Sequence, residues 1–204
     1  MSLSEWFSLS LICLLGAMSP GPSLAMVTKH SLAGGRLNGL AAAWAHSFGI
    51  ALYAFFTIIG LSLVLHKAEW LFKGISLAGA FYLAYLGWKS LRSEGGVLAK
   101  LNEGRSVSFW QSAKEGLLIS LLNPKIALFF MALFSQFISL GHDWESRSLL
   151  IFTPSIIDGV WYSIITLLLS SSSVTEKLRS KAKVIDRLSG IVLLGLAVRV
   201  VATL

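Results

Sequence analysis

Two helix-breaking stretches interrupt membrane-length apolar segments in matching halves of the chain: Ser19-Pro20-Gly21-Pro22 in the first segment and Asn123-Pro124-Lys125 in the fourth. Pro22 and Pro124 stand 102 positions apart, half of the 204 residues. A proline inside a spanning helix removes a backbone donor and crowds the preceding turn, and lipid offers no replacement hydrogen bond. Such breaks persist only where protein or a cavity satisfies the freed groups. Paired breaks in corresponding segments of two halves point to a carrier's binding site, so the pattern predicts a small membrane transporter.

The composition supports a membrane setting. The chain is 55% hydrophobic and 13% charged, with a mean hydropathy of +0.74, whereas soluble domains carry about 25% charged residues. Six segments approach the roughly 20 apolar residues that cross a bilayer: 6–28, 40–65, 70–88, 116–140, 149–171 and 188–204. The expected fold is an all-α polytopic membrane protein with six transmembrane helices in one domain over 1–204. Its halves, about 1–100 and 101–204, hold three helices each. Because three is odd, the second half is expected to be inverted, a 3+3 repeat with broken helices one and four. Gly74-Ile75-Ser76-Leu77-Ala78-Gly79 and Gly190-Ile191-Val192-Leu193-Leu194-Gly195 both read G-I-x-L-x-G, which adds to the case for duplication. Their larger offset would be absorbed by a longer loop around 172–186. No soluble catalytic domain fits beside six helices. The first segment has no Lys or Arg before Lys29 and reads as a retained span rather than a cleaved signal.

Charge placement predicts the orientation. Twelve of the 17 Lys and Arg residues fall in three alternate loops: Lys29 and Arg36; Lys89, Arg92, Lys100, Arg105 and Lys114; and Lys177, Arg179, Lys181, Lys183 and Arg187. Lys67, Lys73, Arg147 and Arg199 lie toward the other side. The positive-inside rule makes the crowded loops cytoplasmic and both termini periplasmic. The net charge of +7 is thus a matter of orientation, and no nucleic-acid partner is expected. The single cysteine, Cys13, excludes an intrachain disulfide and a CxxC redox pair. No HExxH, phosphate-binding loop or GxSxG motif is present, so neither a catalytic residue, a metal site nor a cofactor is expected.

Few residues in the apolar segments can do chemistry. Lys125 lies mid-segment beside the second break, where an ammonium costs at least about 2.5 kcal/mol unless a cavity or counter-ion receives it. Asp158, in the fifth segment, is the expected partner. Tyr162 shares its helix face one turn on. His46 is suited to relay a proton with Asp158, since imidazole titrates near neutral pH. The breaks would offer backbone groups around Ser19, Pro20, Gly21 and Pro22 to a substrate, with Asn123 and Pro124 at the matching position. Lys125 suits a carboxylate and Asp158 an ammonium, which together fit a small zwitterion.

With these residues in place, the chain resembles the LysE/RhtB family of bacterial amino-acid exporters. The resemblance rests on Ser19-Pro20-Gly21-Pro22, the Gly34-Gly35-Arg36 turn leading to Gly39-Leu40, Gly60-Leu61, the run Gly79 through Gly87, Asn123-Pro124-Lys125 followed by Phe129-Phe130, and an aspartate at Asp158. It departs at Ile50, where members often carry a small or polar residue. The resemblance implies a secondary transporter exporting an amino acid or close derivative across the inner membrane by proton exchange. Export of a cation or another small metabolite is the alternative within transport; a membrane-embedded enzyme or a binding or signalling subunit is the alternative outside it. A bundle this small is also compatible with a homodimer.

Overall fold

In a computed structural model of the chain, residues 1–19, 21–92, 107–137, 143–169 and 172–202 are described. Their elements are α1 (Leu3–Met18), α2 (Pro22–Lys67), α3 (Glu69–Leu91), α4 (Phe109–Leu122), α5 (Pro124–Phe137), α6 (Trp144–Leu169) and α7 (Ser172–Ala202). The described residues are all-α. Pro22–Gly60 and Trp144–Leu169 are each long and apolar enough to cross a membrane, and α4 with α5, bent by 52° at their break, makes a third if the pair is one span.

Both sequence breaks are breaks in the structure, and they share a design. Ser19 ends α1 in an extended conformation (φ −66°, ψ 136°), and Pro22 then occupies the first position of α2. Asn123 ends α4 likewise (φ −80°, ψ 112°), and Pro124 opens α5. Proline suits that first position because its missing N–H would have no partner there. Pro20, counted with the first break, lies outside the described residues.

The turn expected at Gly34-Gly35-Arg36 takes the form of a kink. Gly35 sits in the left-handed region (φ 73°) and divides a nominal 46-residue helix in two. The loop expected around 172–186 is instead helical, since α7 begins at Ser172. That stretch holds Glu, Lys, Arg and Ala with neither Gly nor Pro, and such residues favour helix wherever water solvates their charges.

α2 packs most extensively on α4 and α6, and α3 on α7, while α1 lies along α6 and α5 along α3. Close approach depends on small residues. A Cβ on Gly116 would stand 2.3 Å from the Ala42 carbonyl oxygen, and one on Gly79 would stand 3.0 Å from the Ala132 Cβ. Two contacts between the halves are reciprocal. Ser47 Oγ donates to the Ser155 carbonyl at 2.8 Å and Ser155 Oγ donates to the Ser47 carbonyl at 2.9 Å. A Cβ on Gly87 would meet the Gly190 oxygen at 2.8 Å, and one on Gly190 would meet the Gly87 oxygen at 2.7 Å. Gly190 therefore pairs with Gly87, whereas Gly74 and Gly195 of the G-I-x-L-x-G segments face open space.

Apolar packing forms two clusters. The larger includes Leu9, Cys13, Ile50, Phe129, Phe130, Leu133, Phe134 and Phe137; the smaller includes Leu24, Val27, Ala42, Ala43, Tyr162 and Ile165. On α5 the buried positions 126, 129, 130, 133, 134 and 137 follow one helical stripe. Large apolar residues such as Phe7, Phe56, Trp70, Phe81, Phe152 and Ile191 point outward, as a bilayer surround allows.

Candidate functional site

A cavity of about 50 Å³ lies where α1, α2, α5 and α6 converge; its lining includes the polar Ser23, His46, Lys125, Asp158 and Tyr162 and the apolar Cys13, Ile50, Ile126, Phe129 and Phe130. That volume holds a few water molecules. Helical spacing puts the side chains there: Cys13, Gly16 and Ala17 from one face of α1, His46 and Ile50 one turn apart on α2, and Pro154, Asp158 and Tyr162 at successive turns of α6.

Asp158 does not take Lys125 as its partner, contrary to expectation. His46 Nδ1 lies 2.7 Å from Asp158 Oδ2, with both residues buried, and the edge of the His46–Tyr162 ring pair closes over them at 5.4 Å between centroids. His46 Nε2 reaches Ser23 Oγ at 2.9 Å, and Asn123 Nδ2 donates to the same oxygen at 3.4 Å. A buried polar chain Asp158–His46–Ser23–Asn123 thus joins the fifth segment to both breaks. Lys125 turns to the first break, its Nζ donating to the Ser19 carbonyl at 2.9 Å and to Ser19 Oγ. An ammonium is well placed there, because the C-terminal end of α1 carries partial negative charge. Gly21 keeps the approach open: a Cβ at that position would stand 3.2 Å from Lys125 Nζ.

The breaks serve the site differently from the expectation of free backbone groups. Ser19 N–H donates to the Leu15 carbonyl at 3.1 Å, and Ser19 Oγ donates to the Gly16 carbonyl at 2.9 Å. Asn123 Oδ1 accepts the Lys125 N–H at 3.0 Å, an N-cap that starts α5. Ser19, Gly21, Pro22, Asn123 and Pro124 are not among the lining residues; they fix the geometry of those that are.

Sequence reasoning missed three features. Ser23 carries no signal of its own, being one serine among many. Pro154 lies inside α6 and lines the cavity, and as the one proline in the fifth apolar segment it could have been flagged. His30 is fully buried in the first part of α2, its Nδ1 2.9 Å from Ser112 Oγ and its Nε2 2.9 Å from Glu115 Oε2, while Lys29 pairs with the same carboxylate at 2.9 Å. This polar clasp ties the segment after the first break to α4.

Broken helices, an interior ionisable pair and an outward-facing apolar shell define an integral membrane transporter of the broken-helix type. The chain belongs to the LysE type translocator family, whose model matches residues 14–203. It is 34% identical over 185 residues to a leucine efflux protein of Salmonella choleraesuis, covering 88% of this chain and 86% of that one. It is 24% identical over 205 residues to a threonine efflux protein of Salmonella typhi, covering 98% of each. No solved structure matches. The connectivity Asp–His–Ser also occurs in hydrolases, but this family consists of transporters, and the chain is not an enzyme.

Proposed function

We propose that the chain exports an amino acid or close derivative across the bacterial inner membrane in exchange for protons, with the cavity beside the two breaks as its binding site. The observation that carries this reading is the buried chain Asp158–His46–Ser23–Asn123, which links the ionisable pair to the backbone breaks. With Asp158 ionised, Nδ1 of neutral His46 carries the hydrogen and Nε2 accepts from the Ser23 hydroxyl, a tautomer inferred from the partners. A second proton on His46 makes Nε2 a donor, so Ser23 must accept and turn its own hydrogen elsewhere. The protonation state is then read at Ser23, one residue past Pro22. Lys125 and Asp158 offer opposite charges to a zwitterion, and the cavity must widen to admit one. The efflux relatives support an amino acid as cargo.

The accompanying architecture is six spans in an inverted 3+3 arrangement, halves 1–100 and 101–204. Its support is the shared break design together with the reciprocal contacts Ser47–Ser155 and Gly87–Gly190, since a twofold relation makes residue i meet j as j meets i. Gly87 and Gly190 are 103 positions apart, close to the proline offset of 102. The distribution of cationic residues supports a periplasmic position for both termini, and a homodimer is compatible with so small a bundle.

The test is growth of cells challenged with single amino acids or dipeptides at toxic concentration, with and without expression. Expression should relieve at least one amino acid and lower its internal pool. Equal growth and equal pools across the whole panel would overturn the reading.

A further inference from the structure

The cavity's lining sets a few polar groups among apolar side chains, and that composition bears on the cargo's side chain. The titratable lining groups are Lys125, Asp158, His46, Tyr162 and Cys13; His46 and Asp158 are bonded to each other and act as one acidic unit. Two opposite charges are what the carboxylate and ammonium of a zwitterion require, which leaves no further charged group for a side chain that carries one. The apolar lining residues Ile50, Ile126, Phe129, Phe130 and Cys13 are all members of the larger apolar cluster. Tyr162 belongs to the smaller cluster, so the cavity is a seam between the two.

We infer that the site, if it binds an amino acid as proposed above, selects one whose side chain is uncharged and non-polar, and that Phe129 sets the upper limit on its size. A charged side chain against Ile50 and Phe130 would be desolvated with no partner. The size limit follows from packing. The ring of Phe129 lies so close to α1 that a Cβ on Gly16 would stand 2.6 Å from its Cζ, and it contacts Phe130 edge-on at 5.6 Å between centroids. Packing against both restrains the ring where a bulky group would have to enter. The two efflux relatives alone do not decide this, since threonine and leucine differ in polarity.

The experiment is efflux of preloaded labelled leucine, phenylalanine, threonine, lysine and glutamate from proteoliposomes, for the native protein and for Phe129→Ala and Ile50→Thr. The native protein should release leucine faster than threonine and faster again than lysine or glutamate. Phe129→Ala should raise phenylalanine relative to leucine by about tenfold, the scale at which an apolar pocket discriminates volume. Ile50→Thr should raise threonine relative to leucine, and it keeps the inference testable if the alanine variant fails to fold. Lysine or glutamate leaving as fast as leucine would overturn the inference while leaving amino-acid export intact. Equal scaling of all rates in the folded variants would remove Phe129 and Ile50 from selection. Release of no amino acid above protein-free liposomes would instead defeat the export reading itself.

Discussion

The partnership of His46 and Asp158 can be weighed by a double-mutant cycle. His46→Ala leaves a nearly buried carboxyl (6% exposed) without the nitrogen 2.7 Å away, and also breaks the bond to Ser23 and the ring contact with Tyr162. Leaving a buried group without its hydrogen-bond partner costs about 1–3 kcal/mol, and more when the group is charged. The cycle with Asp158→Asn isolates the pairwise part. A neutral interhelical hydrogen bond in a membrane protein averages about 0.6 kcal/mol, whereas one to a charged group is worth about 1.5–3. The short distance and the carboxylate favour the upper range, so the coupling should change the folded-to-unfolded ratio by roughly ten- to a hundredfold. Reversible unfolding in mixed micelles, followed by tryptophan fluorescence for both single variants and the double, measures it. Additivity within about 0.3–0.5 kcal/mol would mean the side chains do not interact. A parallel cycle of Lys125→Met with Asp158→Asn should give the smaller coupling, because the described bonds of Lys125 run to Ser19; a larger one would restore the pairing first expected from the sequence.

Gly116→Ala should destabilise by about 1–3 kcal/mol through overpacking against the Ala42 backbone, while Gly60→Ala, which meets nothing within 4 Å, should leave the melting temperature near native. Asn123→Ala should cost about 1 kcal/mol as α5 loses its cap, and Asn123→Ser, which keeps a capping oxygen and buries no charge, should recover part of it; equal melting of the two variants would remove the cap from the account. Glu115→Gln should loosen the clasp around His30 and Lys29, visible as faster amide exchange in the early turns of α2, and unchanged exchange would show that the clasp is idle. Cysteines at Lys114 and Lys183 on a Cys13→Ser background should resist an impermeant maleimide in intact cells, and labelling of both would invert the topology.

The sequence was most legible where chemistry is local. Prolines at 20, 22 and 124 announce broken helices because no partner sequence can restore a missing N–H. Asp158, His46, Lys125 and Tyr162 stood out because ionisable or hydroxyl groups in apolar segments need partners, and all four line one cavity. Which partner each takes depends on how helices face one another, and that is set by glycines such as Gly116 and Gly79 across interfaces no local pattern reveals. Thus Asp158 met a histidine 112 positions away instead of the lysine that charge alone suggested. The helical start of α7 was hidden for another reason: apolar periodicity marks where lipid begins, not where a helix does.

The central claim is that export runs through this cavity and is coupled to protons by His46 and Asp158. Leucine efflux from proteoliposomes, neutral inside and acidic outside, tests it most directly. The account predicts that the gradient accelerates efflux for the native protein and that Asp158→Asn, reconstituted to equal amount, loses the acceleration. Efflux indifferent to the gradient, or an Asp158→Asn variant that responds as the native protein does, would contradict it.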